Sequence, residues 1–464
     1  MDHDLALARA AISACADPVM EAGEAGGGAQ RGAEQIEEAA AALMMVIGLT
    51  ETGVDALGEL MCCAWRRVVR FGYDESQRTD AERSTMYLFN GATYEAIVGR
   101  DKRAALESRM KAHVIACLAA FERLCESPSA RERRDRGVAA ALAMCRKPRC
   151  MAKALKVAFD NIRGRDGASV RPQELAYTLD TEDFIGLTNG VFDVMNNVFF
   201  PIGSVPPGVR VGMCTNYAYV GPDDPLYPEM RAEISEFLRT VHADDYNDPN
   251  DARLAAMRLF SGLLLPRKNK YKKVFVFLGS EDSGKAEFTR LIELTLGEYA
   301  VAGNRVSLTR KLKGIDRDLV ASHKALVCVY PEARNADGSV VVKINGGRMC
   351  AISGNHTYSV RAPYRHAKGQ GVKFAFKPIV LSTLMPVVHP PNNAAAERLW
   401  IARFGSKFVE GADVDTRRRI FPRIEAESLE QRMRQWAPYF LLMMGEALRD
   451  FRGGVSGGEL PLGQ

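Results

Sequence analysis

The chain has 464 residues, 47% apolar and 26% charged, a globular balance that offers core for about two to four domains and excludes collagen-like, coiled-coil and wholly disordered chains. Its net charge of +5 permits a nucleic-acid partner without requiring one, so the placement of the cations matters more than their sum. The longest apolar run, Ala39 to Leu49, is shorter than the roughly 20 residues a bilayer needs, and no signal-peptide pattern opens the chain, so an intracellular protein without a membrane span is expected.

Ten scattered cysteines are expected to be reduced thiols, and no second Cys/His pair lies near Cys145 and Cys150 to complete a zinc site. Residues 1–35, rich in Ala, Gly and acidic groups with Gly26, Gly27 and Gly28 in a row, predict a flexible tail. Residues 36–170 favour helix; Leu106, Met110, Val114, Cys117, Leu118 and Phe121 recur at helical spacing. In 171–250 the pattern becomes strand, turn, strand, with Asn189-Gly190 between Phe184–Leu187 and Val191–Phe200. Helices are predicted over 229–241 and 251–265.

The segment 251–410 reads as a core. Its apolar strand Val274–Leu278 runs straight into Gly279-Ser280-Glu281-Asp282-Ser283-Gly284-Lys285 and a helix over 286–296. That context suits a phosphate loop, where backbone N–H groups and a helix N-terminus cradle phosphates and a lysine neutralises them; a plain turn carrying Gly and Lys is the bland alternative. The position that usually holds Ser or Thr for magnesium is Ala286, with Asp282, Ser283 or Thr289 as substitutes whose direction the sequence leaves open.

A second strand, Ala325–Tyr330, ends just before Glu332, either an NTPase carboxylate or a solvated loop residue. A third, Lys377–Thr383, precedes Leu384, and Arg398 leads into a fourth, Leu399–Phe404, either as an arginine finger or in a surface ion pair. Between Glu332 and Lys377 lies a basic, glycine-punctuated segment with Arg361, Arg365, His366, Lys368 and Lys373, read as a channel hairpin or as a solvated loop. The cluster Arg267, Lys268, Lys270, Lys272 and Lys273 invites a similar suggestion, with a gatekeeper role beside an apolar strand as its rival. Strands alternating with helices around such a loop predict an α/β fold, its sheet mostly parallel, with ligands at the carboxyl ends of the strands. Residues 411–464 read as a helical lid, apolar over Trp436–Met444, and a tail.

Taken in order, these stretches resemble a superfamily 3 helicase, the helicase half of the poxvirus-type primase-helicases of large DNA viruses and some phages, with degenerate motifs. Leu187 to Asp193 resembles the family's NGV-D signature, followed by Tyr217 and Tyr219. Gly279–Lys285 resembles Walker A, and Val327–Glu332 resembles Walker B. Ile352-Ser353-Gly354 with Val360–Tyr364, Leu381–Pro386 and Glu397–Phe404 resemble the later motifs.

The resemblance implies a P-loop NTPase, AAA+-like core, preceded by a helical N-terminal region and closed by C-terminal helices. It implies an ATP-dependent ring helicase or translocase of viral DNA replication, in the host nucleus or a cytoplasmic replication site, using ATP and Mg2+. Its partners would be single-stranded or forked DNA, identical subunits in a hexameric ring, and a separate primase or polymerase. By the same resemblance Gly279, Ser280, Asp282, Ser283, Gly284, Lys285 and Ala286 hold nucleotide, Glu332 binds metal and activates water, and Arg398 acts in trans. Arg361, Arg365, His366, Lys368 and Lys373 would contact nucleic acid.

The chain departs from the pattern at Ala286, at Asn355 and His356 where glycine and aspartate are usual, and at Leu384 where the family has a sensor asparagine. These losses keep open a non-hydrolysing relative that serves as a scaffold or regulatory subunit of a replication complex. A DNA-binding module without nucleotide would require the phosphate loop to be accidental.

Overall fold

The computed structural model describes residues 2–15, 36, 39–44, 53–65, 69–73, 84–89, 94–97, 100–124 and 138–166, then 180 and 183–453 apart from 203, 207–208, 249, 305, 310–321, 333–342, 355–356, 361–369 and 392. The chain divides into two units, 1–180 with 200–212, and 181–199 with 213–464.

In the first unit, helices α1 (Asp2–Ala14), α2 (Gly53–Trp65), α3 (Arg100–Leu124) and α4 (Pro148–Asp166) share one apolar core, to which Trp65, Met110, Val114, Phe121, Ala154 and Phe159 contribute. Trp65 Nε1 donates to His113 Nδ1 at 3.4 Å, which satisfies a polar atom that burial would otherwise leave unpaired. Two expectations are corrected here. Residues 2–14 are not a flexible tail: Ala8, Ala11 and Ile12 fall on one face of α1 and are buried. Nor is 36–170 wholly helical, because β1 (Val69–Tyr73), β2 (Ser84–Phe89) and β3 (Tyr94–Ile97) form an antiparallel sheet. The β-branched and aromatic residues of these three short segments favour strand.

The second unit opens with the hairpin β4 (Phe184–Leu187) and β5 (Gly190–Asp193). Asn189 pins it to the chain that follows, donating to Tyr219 O at 3.1 Å and accepting from Tyr219 N at 2.7 Å. Asp193 closes the next turn by accepting from the amides of Met195 and Asn196. These NGV-D residues thus hold backbone together. Tyr217 adds a bond to Thr295 O at 2.5 Å, at the end of helix α7 (Lys285–Leu296).

The core is a sheet of five parallel strands: β6 (Val274–Gly279), β7 (Ala300–Ala302), β8 (Val327–Tyr330), β11 (Lys377–Ser382) and β12 (Leu399–Phe404). Before β11 come helix α8 (Gly346–Ser353) and the antiparallel pair β9 (Thr357–Val360) and β10 (Gln370–Lys373). The order across the sheet is β12-β6-β11-β8-β7. Parallel strands covered on both faces read as unbroken apolar runs, which is why 274–278, 325–330 and 377–383 stood out in the sequence. The edge strand β7, three residues of Ala-Val-Ala, carried no such signal.

Helices α5 (Tyr227–His242), α6 (Ala252–Leu263) and α9 (Ala426–Arg452) cover the sheet with α7, and a short parallel pair, β13 (Lys407–Val409) and β14 (Ile420–Pro422), precedes α9. No helix among the described residues is long and apolar enough to cross a membrane. The described cysteines form no disulfide with one another.

Phe260 of α6 is the hub of the helix–sheet contact: its ring centroid lies 4.6 Å from Phe275, 5.6 Å from Phe277 and 6.5 Å from Trp400. Phe260→Ala is expected to destabilise the unit by about 3–5 kcal/mol, because a buried ring is lost and a cavity remains. Urea unfolding measures this, and a loss below about 1 kcal/mol would show that the site collapses around the gap.

Candidate functional site

β6 ends and α7 begins within a loop whose geometry depends on two glycines. Gly279 lies against β12 so closely that a Cβ there would sit 2.5 Å from Phe404 O, and Gly284 adopts φ +85° under the ring of Phe408. Asp282 also takes a left-handed conformation, φ +56°, which Asp tolerates better than most residues. No side chain caps α7 at Gly284, so the amides of its first turn are presented to the loop.

Lys285 folds over this loop. Its Nζ donates to Gly279 O at 2.5 Å, Ser280 O at 2.6 Å and Ser283 Oγ at 3.2 Å. Burial holds the ammonium below the usual lysine range, while the carboxylates of Glu332, Glu287, Glu281 and Asp282 pull the other way. Glu332, two residues past β8, accepts from Thr383 N at 2.6 Å, just past the end of β11. Because β11 lies between β6 and β8, the loop, Glu332 and Thr383 gather at the carboxyl ends of three adjacent strands.

The three substitutes for the missing hydroxyl at Ala286 are all engaged. Thr289 Oγ1 donates to Lys285 O at 2.8 Å, Ser283 Oγ accepts from Lys285, and the Asp282 carboxylate pairs with the guanidinium of Arg423. Leu384, at the sensor position, is 55% exposed.

Arg398 lies at the other end of the sheet: its carbonyl accepts from Val274 N, at the start of β6, which puts it roughly 20 Å along the strand from the loop of its own chain. Its guanidinium donates to Cys350 O at 2.8 Å and Ser353 Oγ at 2.9 Å, both in α8. Of the basic residues, Arg361, Arg365, His366 and Lys368 lie outside the described residues, as do Asn355 and His356. Lys373 ends β10, whose backbone pairs with β9.

Arg423 is a residue that sequence reasoning missed. It follows β14 with no motif around it, and only the folded chain brings it to Asp282. Beside this pair opens a cavity of about 1000 Å³, lined by Phe408, Phe421, Ile424 and Trp436 together with Gly284 and Ala286. Its volume reaches the upper part of the range typical of small-molecule sites.

Under the loop, His242 at the end of α5 is fully buried, edge-on to Phe288 at 4.4 Å and to Phe404 at 4.8 Å. Burial drops its pKa to about 3, with Arg419 and Arg253 pushing the same way, and neither ring nitrogen finds a hydrogen-bond partner among the described residues.

No family model matches the sequence, and no curated protein matches it. Solved structures to which the chain is similar include an apo form of the NrS-1 C-terminal region, at 11% identity over 50% of this chain and 52% of that one, TM-score 0.29. A second apo structure of that region gives 12% identity over 52% and 58%, TM-score 0.31. The JCV helicase gives 11% identity over 78% and 92%, TM-score 0.29. The chain thus spans little more than half the length of the NrS-1 structures it matches. Similarity this weak carries no weight for fold or function.

Two outcomes are expected at this site. Lys285→Ala should lower affinity for a nucleoside triphosphate by roughly 10- to 100-fold, the worth of one charge-assisted hydrogen bond, with the thermal unfolding profile retained; unchanged affinity by calorimetry would remove the phosphate-loop assignment. His242 is neutral when folded and protonates in the unfolded chain below about pH 6.5, so the unfolded state binds the extra proton and stability falls as pH drops from there toward 3. The slope it contributes is about 1.4 kcal/mol per pH unit, and His242→Phe should remove it from denaturation curves measured between those limits.

Proposed function

We propose that the second unit binds a nucleoside triphosphate at 279–286 and works as a ring-forming, helicase-type motor on DNA. The observation that carries this reading is the meeting of Lys285, Glu332 and the Thr383 amide at the carboxyl ends of β6, β8 and β11. In chain order the sheet runs fifth, first, fourth, third, second, which puts the loop-bearing strand at a topological switch point, where α/β sheets open a crevice for ligands. This arrangement supports the AAA+-like core that the resemblance implies.

In this reading the loop amides and Lys285 hold the phosphates, and the cavity lined by Phe408, Phe421 and Trp436 takes the base and sugar. Glu332, fixed by the Thr383 amide, orients the attacking water. Arg398 is too far from its own loop to serve it and would act on a neighbouring subunit, and the segment joining β9 to β10 would contact the DNA backbone. Replication of a viral genome, a hexameric ring and a separate primase or polymerase belong to the same proposal.

Magnesium meets an incomplete donor set. Glu332 is a fitting carboxylate, but Ala286 offers no oxygen, and the hydroxyls of Ser283 and Thr289 are engaged with Lys285 or its carbonyl. This favours a second reading, in which the chain binds nucleotide without turnover and serves as a scaffold or regulatory subunit.

Nucleotide binding followed by ATPase assays with and without single-stranded DNA separates the two. We expect slow hydrolysis by the natural chain, a gain in rate and in magnesium response for Ala286→Thr, and a larger gain when Leu384→Asn is added. Turnover of roughly 1–100 per second by the natural chain, unaltered by Ala286→Thr, would overturn the defect assigned to Ala286. Binding without turnover in every variant would select the scaffold.

A further inference from the structure

The end of the sheet opposite the phosphate loop carries a second cavity, of about 450 Å³, that the proposed motor does not use. It lies at the amino ends of β6, β11 and β12. Its walls are apolar and largely aromatic, from Phe275, Trp400, Leu448 and Phe451, with Tyr271 beside them. The same cavity is lined by Lys268, Lys270, Lys273 and Arg452, and by Lys377, which is only 2% exposed. Asp183 is the one carboxylate in its lining, and it already accepts from Arg267 N at 2.6 Å.

Four of the five cations of the basic cluster 267–273, ambiguous in the sequence, are divided by the fold into two sets; the fifth, Lys272, is exposed and does not line the cavity. Arg267 is buried, bonded to Lys324 O and Phe184 O, and Lys273 Nζ donates to Glu397 O; these two hold the structure together. Lys268 and Lys270 are exposed and have no carboxylate partner among the described residues. They stand on a turn that Asn269 closes from both sides, donating to Lys273 O at 2.8 Å and accepting from Lys273 N at 3.1 Å.

A gatekeeper lysine needs neither a fixed turn nor a cavity. Here the lysines are presented in a set geometry at the edge of aromatic walls. Lys377 adds to the positive field only in part: burial and the neighbouring Arg267 bring it down to about 7, Asp183 opposes them, and its Nζ donates to Leu264 O and Pro266 O.

A rim of cations around flat rings, outnumbering the single carboxylate of Asp183, matches a phosphate ester that carries a base. A strongly acidic peptide would use the charges and leave the rings empty. An acyl chain would use the apolar walls but needs only one anionic contact. Base stacking on aromatic side chains beside a backbone-tracking cation is the physics of single-strand binding without sequence preference, and the volume suits about one nucleotide.

We propose that this cavity is a second nucleic-acid site, in which Lys268 and Lys270 hold the phosphate of one nucleotide unit while its base lies against Tyr271 and Trp400. It does not depend on the phosphate loop. Two sources present this chemistry, a single strand and a free nucleotide.

The test uses the full chain and a fluorescein-labelled oligothymidylate, read by anisotropy across a salt series. Lys268→Gln with Lys270→Gln should weaken binding by at least about tenfold and reduce the slope of log affinity against log salt by about 0.7, the share of the one single-strand phosphate that the pair neutralises. Tyr271→Ala should weaken binding roughly 5- to 100-fold and leave the slope unchanged, as stacking involves no counterion. As a control for net charge, Arg417→Gln with Arg418→Gln on the exposed turn before β14 should alter neither.

An unchanged slope in the lysine pair, or a loss no larger than in the control, would overturn the site. The lysines are exposed, so loss of fold does not obscure that readout. Repeating the titration in Lys285→Ala isolates the cavity from the phosphate loop, and a second nucleic-acid site requires the lysine-pair effect to persist there. In that background, displacement of the oligonucleotide by ATP assigns the cavity to nucleotides in general, and resistance to ATP assigns it to strands.

Discussion

The parallel register between β6 and β12, which sets Gly279 directly against Phe404, is the constraint on which the candidate site depends. Any side chain at 279 would collide with the Phe404 carbonyl, so the position where the loop leaves the strand accepts only glycine. The same Phe404 ring packs on Phe277 of β6 and on His242, and through them on Phe288 in the first turn of α7. The position of the loop, the start of its helix and the end of the neighbouring strand are therefore set by one aromatic cluster. A neutral histidine sits inside that cluster because charging it there would place an unsolvated cation among rings and near two arginines.

How Lys285 rests has an energetic consequence. Its three bonds to the loop satisfy an ammonium that burial would otherwise penalise, so under the proposed function a phosphate would gain only the difference between those bonds and its own. The Asp282 pair with Arg423 acts alike, because a phosphate bound there would compete for a guanidinium that already has a carboxylate. Arg423 lies three residues before α9, and α9 is joined to α7 through Arg290 and Glu430 at 2.8 Å. Two separate exposed ion pairs thus tie the loop and α7 to the chain around the start of α9. Such exposed pairs are individually weak.

The core was legible in the sequence because buried parallel strands are continuous apolar runs and because a glycine loop between strand and helix has a fixed spacing. Val274–Leu278, Leu399–Phe404 and Gly279–Lys285 all fall where periodicity and spacing put them. The edge strand 300–302 was not legible, because three small residues at a sheet margin need no apolar run. Helix α1 was hidden by an Ala-rich composition that suits a packed helix as well as a loose tail. The engagement of Ser283 and Thr289 with Lys285, and of Asp282 with a distant Arg423, could not be read either. Which of several oxygens is free depends on side-chain direction and on contacts between residues far apart in the chain.

The two ends of the sheet differ in what they expose, and Arg398 links the far end to the rest of the unit. It opens β12 beside the start of β6, while its guanidinium grips the carbonyl of Cys350 and the hydroxyl of Ser353 in α8. That helix leads directly into β9 and the pair it forms with β10. A cation so held is already satisfied by two good acceptors, so drawing it toward a neighbour's phosphates requires a stronger anion than either. Withdrawal would leave the last turn of α8 without its cation, and helix carbonyls near a C-terminus favour a positive partner. Under the proposed function, the contact that senses a neighbouring subunit's nucleotide and the contact that steadies the helix before the basic segment are therefore the same bond, available to one or the other at a time.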